Sequence, residues 1–400
     1  MKYIFVGGFW NNNSNDKILA TSRGSIQYAA NEHQLNILYG LKKHLGLNLN
    51  ALTCRFIGSF PKRSKSLVVK KESFTVFDDL LVEECGFINA PLFKNISKVR
   101  RLLNRLLKIS NCKEETVVIG YSMTYSIVKT LFVLKKKRPN VKICLIVPDL
   151  PEFMSSNPRK SIFKKVVIKQ IYEYIKVFDC FVTLTDQMFS KLKVPNAHHC
   201  VVDGIISQDR DMYHNEDSYN NAFREKMIAY TGTLEERYGV KNLIEAFEKI
   251  NETNIKLVIC GYGELSDYVK EKSSSNSRII FLGSVTVEKA RDVQRKAYLL
   301  VNPRENQEFV KYSFPSKTFE YMLSGRPVLM YKLDCLSEEY SNYVYFVDGG
   351  LRESIIKTMS IDSSLLSEKG KRAQEYVLKN KNAVFQTKKI VDMIKSLSEK

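Results

Sequence analysis

The chain has 400 residues, 44% of them hydrophobic, which is material for two cores rather than one. No uncharged apolar run approaches the roughly 18–20 residues needed to span a bilayer. The net charge of +19 is unevenly placed: residues 1–200 hold 32 Lys and Arg against 14 Asp and Glu, whereas residues 201–400 come to +1. Nearly the whole surplus therefore sits on one half, an electrostatic footprint that bears on what this half touches.

Lys2–Gly8 has too short an apolar core for a signal peptide, and Asn11-Asn12-Asn13 follows it. It reads as a first strand, Tyr3–Val6, ending in the turn of Gly7 and Gly8. Ala20–Ile26 reads as a glycine loop opening a helix, with Arg23 and Gly24 in the loop and His33 beyond it. Further strands are predicted at Thr53–Ile57, Val117–Ile119, Lys142–Val147 and Cys180–Leu184, with helical patterns between them, so this half reads as a doubly wound α/β domain. Lys94–Ile109 puts Ile96, Val99, Leu102, Leu103, Leu106 and Leu107 on one stripe, with Lys94, Lys98, Arg100, Arg101, Arg105 and Lys108 largely off it. Residues 161–177 mix Ile162, Phe163, Val166, Val167 and Ile171 with Lys164, Lys165, Lys169 and Lys176. Such helices can pack on a sheet with their lysines in water. They can also dock on anionic lipid, where each nearby Lys or Arg adds roughly 1 kcal/mol.

The run Leu145–Val147 enters Pro148-Asp149-Leu150-Pro151, which puts Asp149 at a strand's C-terminal end, where ligands of parallel sheets bind. A turn-capping Asp between two prolines is the plainer reading. The eight cysteines are scattered without a C-x-x-C pair, which fits reduced thiols. The five histidines show no metal spacing, and His198 and His199 are expected in a surface turn. Val201–Ile205 reads as the last strand of this half. A polar stretch at 206–222 follows, and a second domain begins near residue 223.

In the second half, Met227–Leu234 followed by Gly239-Val240 reads as a strand, a glycine loop at Gly232 and Thr233, and the amphipathic helix Asn242–Phe247. Lys256–Leu265 and Ile279–Val285 are strands ending in glycine turns at Gly261, Gly263 and Gly283, the last running into Ser284 and Val285. Tyr312–Met330 reads as a turn, a helix with Ser316 as its N-cap, a stop at Gly325 and Pro327, and a buried strand. Glu320 is then a helix carboxylate in an αβ unit, able to accept from two sugar hydroxyls.

In this order, residues 227–330 resemble the nucleotide-binding half of glycosyltransferases with the GT-B fold, particularly the large retaining family 4 (glycosyl transferases group 1). The resemblance implies two doubly wound Rossmann-like domains facing a cleft: an acceptor domain at 1–205, a linker at 206–222, a donor domain at 223–384, and a last helix at 385–400 crossing back. It implies a nucleotide-sugar donor, UDP- or GDP-linked, with Glu320 on the ribose and no cofactor or metal. Gly7, Gly8, Gly232, Thr233, Gly261, Gly263, Ser284, Val285, Ser316 and Lys317 join the donor site. The family's loop cations fall on Thr233 and Tyr238, so Arg237 is taken as the diphosphate cation. The first carboxylate of the family's Glu-(seven residues)-Glu motif falls on Tyr312. Asp149 and Arg237 are the catalytic candidates, and Arg23, Gly24 and His33 the acceptor candidates.

These readings lead to a peripheral protein at the cytoplasmic face of a membrane. It would transfer sugar to a lipid-linked or oligosaccharide acceptor in polysaccharide synthesis. Two alternatives stand beside it: a catalytically silent GT-B subunit, motivated by Tyr312, and a nucleic-acid binder, suggested by the basic half and 43 Phe and Tyr but carrying no recognised nucleic-acid motif.

Overall fold

Runs of buried apolar residues build two separate sheets in this chain. The computed structural model describes residues 1–24, 26–77, 79–91, 93–110, 114–154, 162–206 and 226–397, apart from the Ser316 side chain. The chain divides into one unit of Met1–Ser207 with Ala383–Lys400 and a second of Gln208–Asn382. Most of the expected linker at 206–222 lies outside the described residues.

In the first unit the strands are β1 (Lys2–Gly7), β2 (Leu49–Thr53), β3 (Val68–Val69), β4 (Glu72–Val76), β5 (Leu80–Glu84), β6 (Phe87–Ile88), β7 (Thr116–Tyr121), β8 (Lys142–Val147), β9 (Cys180–Thr183) and β10 (His198–Val201). The main sheet runs β10-β9-β8-β7-β1-β2-β5-β4, parallel except for β4, and β3 pairs with β6 alone. Its central strands are near-continuous apolar runs because helices cover both faces, and every residue of β7 is buried. The helices are α1 (Asn15–Thr21), α2 (Tyr28–Leu45), α3 (Lys94–Ile109), α4 (Tyr125–Lys137), α5 (Ile162–Ile175) and α6 (Asp186–Leu192).

Four expectations for this half need correction. The strand expected at Thr53–Ile57 is Leu49–Thr53, so the apolar run after it belongs to a loop. The strand expected at Val201–Ile205 ends at Val201, and His198 and His199 lie in it rather than in a turn. His199 stacks on Phe189 at 3.9 Å and reaches Asp186 at 3.1 Å. The apolar stripe of α3 is also narrower than its periodicity suggested. Ile96 is exposed, whereas Lys98 turns inward and donates to the carbonyls of Cys54 and Arg55 at 3.0 and 2.9 Å. Those acceptors lie just past β2, and a buried cation replaces the ladder partners the strand end leaves behind.

The second unit holds β11 (Lys226–Thr231), β12 (Ile255–Cys260), β13 (Ile279–Gly283), β14 (Leu299–Asn302), β15 (Val328–Met330) and β16 (Tyr345–Phe346) in one all-parallel sheet ordered β13-β12-β11-β14-β15-β16. Its helices are α7 (Val240–Glu248), α8 (Ser266–Ser275), α9 (Val287–Lys296), α10 (Ser316–Leu323), α11 (Leu351–Met359) and α12 (Ser363–Asn380). Ser316 opens α10 with Pro315 at the cap position, so the expected cap lies one residue too late. The last helix, α13 (Ala383–Ser396), packs on α2 of the first unit, and its Ile390, Val391 and Ile394 join that unit's core. Both units are doubly wound α/β structures.

Candidate functional site

In the second sheet, chain order reverses between β11 and β14, and ligands of open parallel sheets bind outside the strand ends at such a reversal. Thr231 ends β11 there and is held by two side chains the sequence did not reveal. The Tyr321 hydroxyl accepts from the Thr231 N–H at 2.9 Å and donates to its carbonyl at 3.1 Å. Gln294 donates to Thr231 Oγ1 at 2.7 Å.

The loop that follows is set by glycines. The Gly232 N–H donates to the Cys260 carbonyl at 2.9 Å, so this amide is engaged within the protein. A Cβ on Gly261, whose φ is +152°, would lie 1.8 Å from the Gly232 carbonyl oxygen. One on Gly263 would lie 2.3 Å from the Leu234 oxygen. Glu264 accepts from the Glu236 N–H at 3.0 Å. Gly261 and Gly263 thus let the loop after β12 clamp the loop after β11. Thr233, at the exposed crest, has its carbonyl fixed by the Tyr230 hydroxyl at 2.8 Å, and its N–H meets no acceptor among the described residues. Ser284 and Val285 follow β13, two strands away from the reversal.

Arg237 is half-exposed, pairs with Glu235 at 2.6 Å, and stands 5.0 Å from the centre of the Tyr238 ring. Next to it, Gly239 has φ +76°, and a Cβ there would lie 2.0 Å from the Pro303 carbonyl oxygen. That close approach brings the loop after β11 against the loop after β14, where a second cation stands. Arg304 is only 8% exposed. Its Nη2 donates to Ser313 Oγ at 2.8 Å, and its guanidinium lies 4.8 Å from the Phe309 ring and 5.7 Å from the Tyr238 ring. Its Nε has no hydrogen-bond partner, and among the described residues it forms no ion pair with an acidic side chain. Burial holds its pKa below the ordinary arginine value, and the neighbouring Arg237 charge adds to this. The sequence points to Arg237 and Lys317 for the diphosphate and does not single out Arg304. The available signal was an arginine two residues past a fully buried strand.

Glu320 is exposed on α10, and its Oε2 accepts from Lys317 at 2.7 Å. The start of α10 is tied to the end of β14 by Asn302, which donates to Thr318 Oγ1 at 3.3 Å. Lys317 and Glu320 are therefore together, next to the reversal. Tyr312 is half-buried at the end of a short turn of helix, Glu308–Tyr312.

The first sheet reverses between β1 and β7. The Gly8 N–H donates to Gln34 Oε1 at 2.8 Å, and a Cβ on Gly8 would lie 2.1 Å from the Phe56 ring. Gly7 and Gly8 thus belong to the first unit, whereas the other donor candidates belong to the second. His33 Nδ1 and the hydroxyl of Tyr121, the last residue of β7, share a 2.8 Å hydrogen bond. Burial lowers the His33 pKa to about 4, so the ring is neutral at pH 7. Asp149, two residues past β8, is exposed, yet its surroundings desolvate the carboxyl and raise it to about 6. Burial, and then Asp149, push the Tyr121 phenol up. His33, Tyr121 and Asp149 thus form one group at the strand ends. Arg23 and Gly24 are exposed on another loop, where Arg23 donates to the Pro61 carbonyl at 3.2 Å, and no contact among the described residues joins them to this group. Ser25, beside them, lies outside the described residues. Among the described residues no cluster of His, Cys, Asp or Glu could hold a metal ion, and no helix is long and apolar enough to cross a membrane.

Residues 225–357, which contain both loops and α10, match the model of the family described as glycosyl transferases group 1. Among solved structures, sucrose-phosphate synthase from Thermosynechococcus elongatus is similar with a TM-score of 0.67 at 14% identity, over 100% of both chains. HepE from Anabaena, solved with UDP and glucose, is similar with a TM-score of 0.60 at 13% identity, over 99% of this chain and 100% of that one. An E. coli trehalose-6-phosphate protein bound with UDP-2-fluoro glucose gives 0.64 at 9% identity, over 98% and 99%. No curated protein sequence matches the chain. The fold is that of the GT-B glycosyltransferases.

Proposed function

We propose that the protein is a glycosyltransferase that moves a sugar from a UDP- or GDP-linked donor to a lipid-linked or oligosaccharide acceptor. The observation that carries this reading is a coincidence of place. The family match covers 225–357, and within it the β11–β14 reversal has Lys317 and Glu320 beside it on α10. On this reading Glu320 accepts from the ribose hydroxyls, and Lys317 and Arg237 face the diphosphate. Protein cations then meet the charge that develops on the leaving diphosphate, without a metal ion. Retention of anomeric configuration rests on the motif resemblance. In the first unit, Asp149 at about 6 exchanges a proton readily near neutral pH, which suits a group that contacts an acceptor hydroxyl.

Two surfaces of the basic unit support a membrane-linked acceptor. On α5, Ile162 and Phe163 are 82% and 77% exposed beside Val166, Lys165 and Lys169. On α3, Ile96, Arg100, Arg101 and Lys108 face solvent. Exposed apolar side chains among cations are what an anionic lipid surface accepts. Lys94 and Lys98 do not contribute, because both donate to backbone carbonyls, and Arg105 is taken by Glu83.

Tyr312 in place of the family's first carboxylate favours a second reading, a nucleotide-binding subunit without turnover. Thermal shift with UDP and GDP, followed by product analysis with a panel of nucleotide sugars and lipid-linked acceptors, tests both. A stabilising diphosphate with turnover supports the enzyme, and binding without any product supports the silent subunit. No shift with either nucleotide removes both.

A further inference from the structure

We infer that Arg304 is a further cation that grips the donor's diphosphate, reaching it from within the fold in addition to Arg237 and Lys317. This rests on the reading of the second unit as a nucleotide-sugar site and names the residue that reading lacked.

The geometry leaves Arg304 in need of an anion. A guanidinium has five N–H donors; here one Nη2 donor meets the neutral Ser313 hydroxyl, and Nε has no partner among the described residues. Arginines this deeply buried are ordinarily paired with carboxylates, because an unpaired buried charge is expensive. Arg304 instead shares the Tyr238 ring with a second cation: the two guanidiniums lie 5.7 and 5.0 Å from its centre. Arg237 has Glu235 to neutralise it, and among the described residues Arg304 has no such partner. Two cations gathered at one ring, with a single carboxylate between them, leave room for negative charge.

Its position identifies the ligand. Arg304 stands two residues past Asn302, the end of β14, and Gly239 lets the loop after β11 pack onto Pro303 beside it. The same approach brings the start of α7 beside it, where the Val240, Lys241 and Asn242 amides lack helical partners. A planar fork with several N–H groups around it suits two linked phosphates better than a single carboxylate. The Phe309 and Tyr238 rings hold the guanidinium in place before any ligand arrives.

The test compares UDP and GDP with uridine, guanosine and inorganic pyrophosphate on the full chain, by calorimetry and thermal shift. In Arg304→Gln and Arg304→Met, nucleoside diphosphate and pyrophosphate affinity should fall about 10- to 100-fold. Nucleoside affinity should stay within twofold, and the unliganded melting temperature should hold or rise because an unpaired buried charge has gone. Arg304→Lys, which keeps charge but loses the fork, should fall between. Ser313→Ala, which frees Nη2 without removing the cation, should retain most diphosphate affinity. Unchanged diphosphate affinity in Arg304→Gln would overturn the inference while leaving the nucleotide reading intact. Loss of the unliganded fold in all three Arg304 variants would overturn it too, by making Arg304 a packing strut. If the wild-type chain binds neither UDP nor GDP, the nucleotide reading fails first and this inference with it.

Discussion

Lys317 and Glu320 hold each other at 2.7 Å, one turn apart on α10, although the proposed function gives each a different part of the same donor. The pair is about half-exposed on both sides, so it contributes little to stability and is cheap to open. A ribose and a diphosphate arriving together would separate it, each partner exchanging the other for ligand.

Glu320→Ala should therefore weaken donor binding by roughly 1.5–3 kcal/mol, the range for charge-assisted hydrogen bonds, with the unfolding midpoint almost unmoved. Calorimetry with UDP and GDP checks this. An unchanged dissociation constant would remove Glu320 from the site.

The acid response of the first unit should divide between two residues. His33 titrates at about 4 in the fold against about 6.5 when unfolded, so its contribution is present above pH 6.5 and lost as pH falls through 4. Asp149 titrates at about 6 in the fold against about 3.9 unfolded, so its contribution is full below 3.9 and lost as pH rises through 6. The two slopes oppose each other between about pH 4 and 6. Asp149→Asn should steepen the acid loss of stability relative to wild type, and His33→Gln should flatten it. Denaturant titrations from pH 4 to 7 measure both, and parallel curves for the three proteins would contradict the assignment. The same Asp149→Asn change should remove any inflection near pH 6 from kcat/KM.

Two glycines with positive φ should respond very differently to alanine. Gly261→Ala forces a Cβ to 1.8 Å from a backbone oxygen, so it should destabilise the second unit well beyond about 1 kcal/mol and abolish nucleotide binding. Gly283→Ala, at φ +65° with open space around it, should cost only the left-handed penalty of about 1–2 kcal/mol. Similar losses in the two variants would show that the clamp between the β11 and β12 loops is unimportant.

Vesicles with anionic lipid should bind the full chain, and binding should weaken steeply with salt as screening shortens to about 8 Å at physiological ionic strength. Arg100→Glu with Arg101→Glu, or Ile162→Ser with Phe163→Ser, should release it without altering nucleotide affinity. Arg105 is unsuitable for this experiment, because reversing it would break its pairing with Glu83. Equal binding to neutral and anionic vesicles would contradict electrostatic docking.

The second unit was the more legible in sequence. The loops after β11, β12 and β13 are marked by glycines, and Gly239, Gly261 and Gly283 take a positive φ that few other residues accept. The turn at Gly261 and Gly263 was visible for that reason, although its role in clamping a neighbouring loop required the sheet order. Arg304 was invisible because nothing local distinguishes a buried arginine from a solvated one; its meaning depends on β11 and β14 being neighbours across some seventy residues. In the first unit, Lys98 defeated the periodicity of α3, since a lysine at a core position satisfies carbonyls from another strand. The antiparallel strands β4 and β5 alternate in burial, but Glu72 and Glu84 take inward positions and pair with Arg55, so apolar counting fails there.

The position of α13 has a consequence for how the protein is made. Ile390, Val391 and Ile394 complete a core whose other members begin at Tyr3, so on the ribosome the first unit waits for residues synthesised after the entire second unit. The second unit is continuous in sequence and can close on itself as it emerges, since domains generally fold as units. Stopping translation at Asn382 would yield a folded second unit attached to a first sheet whose α2 face lies open, a species prone to capture by chaperones.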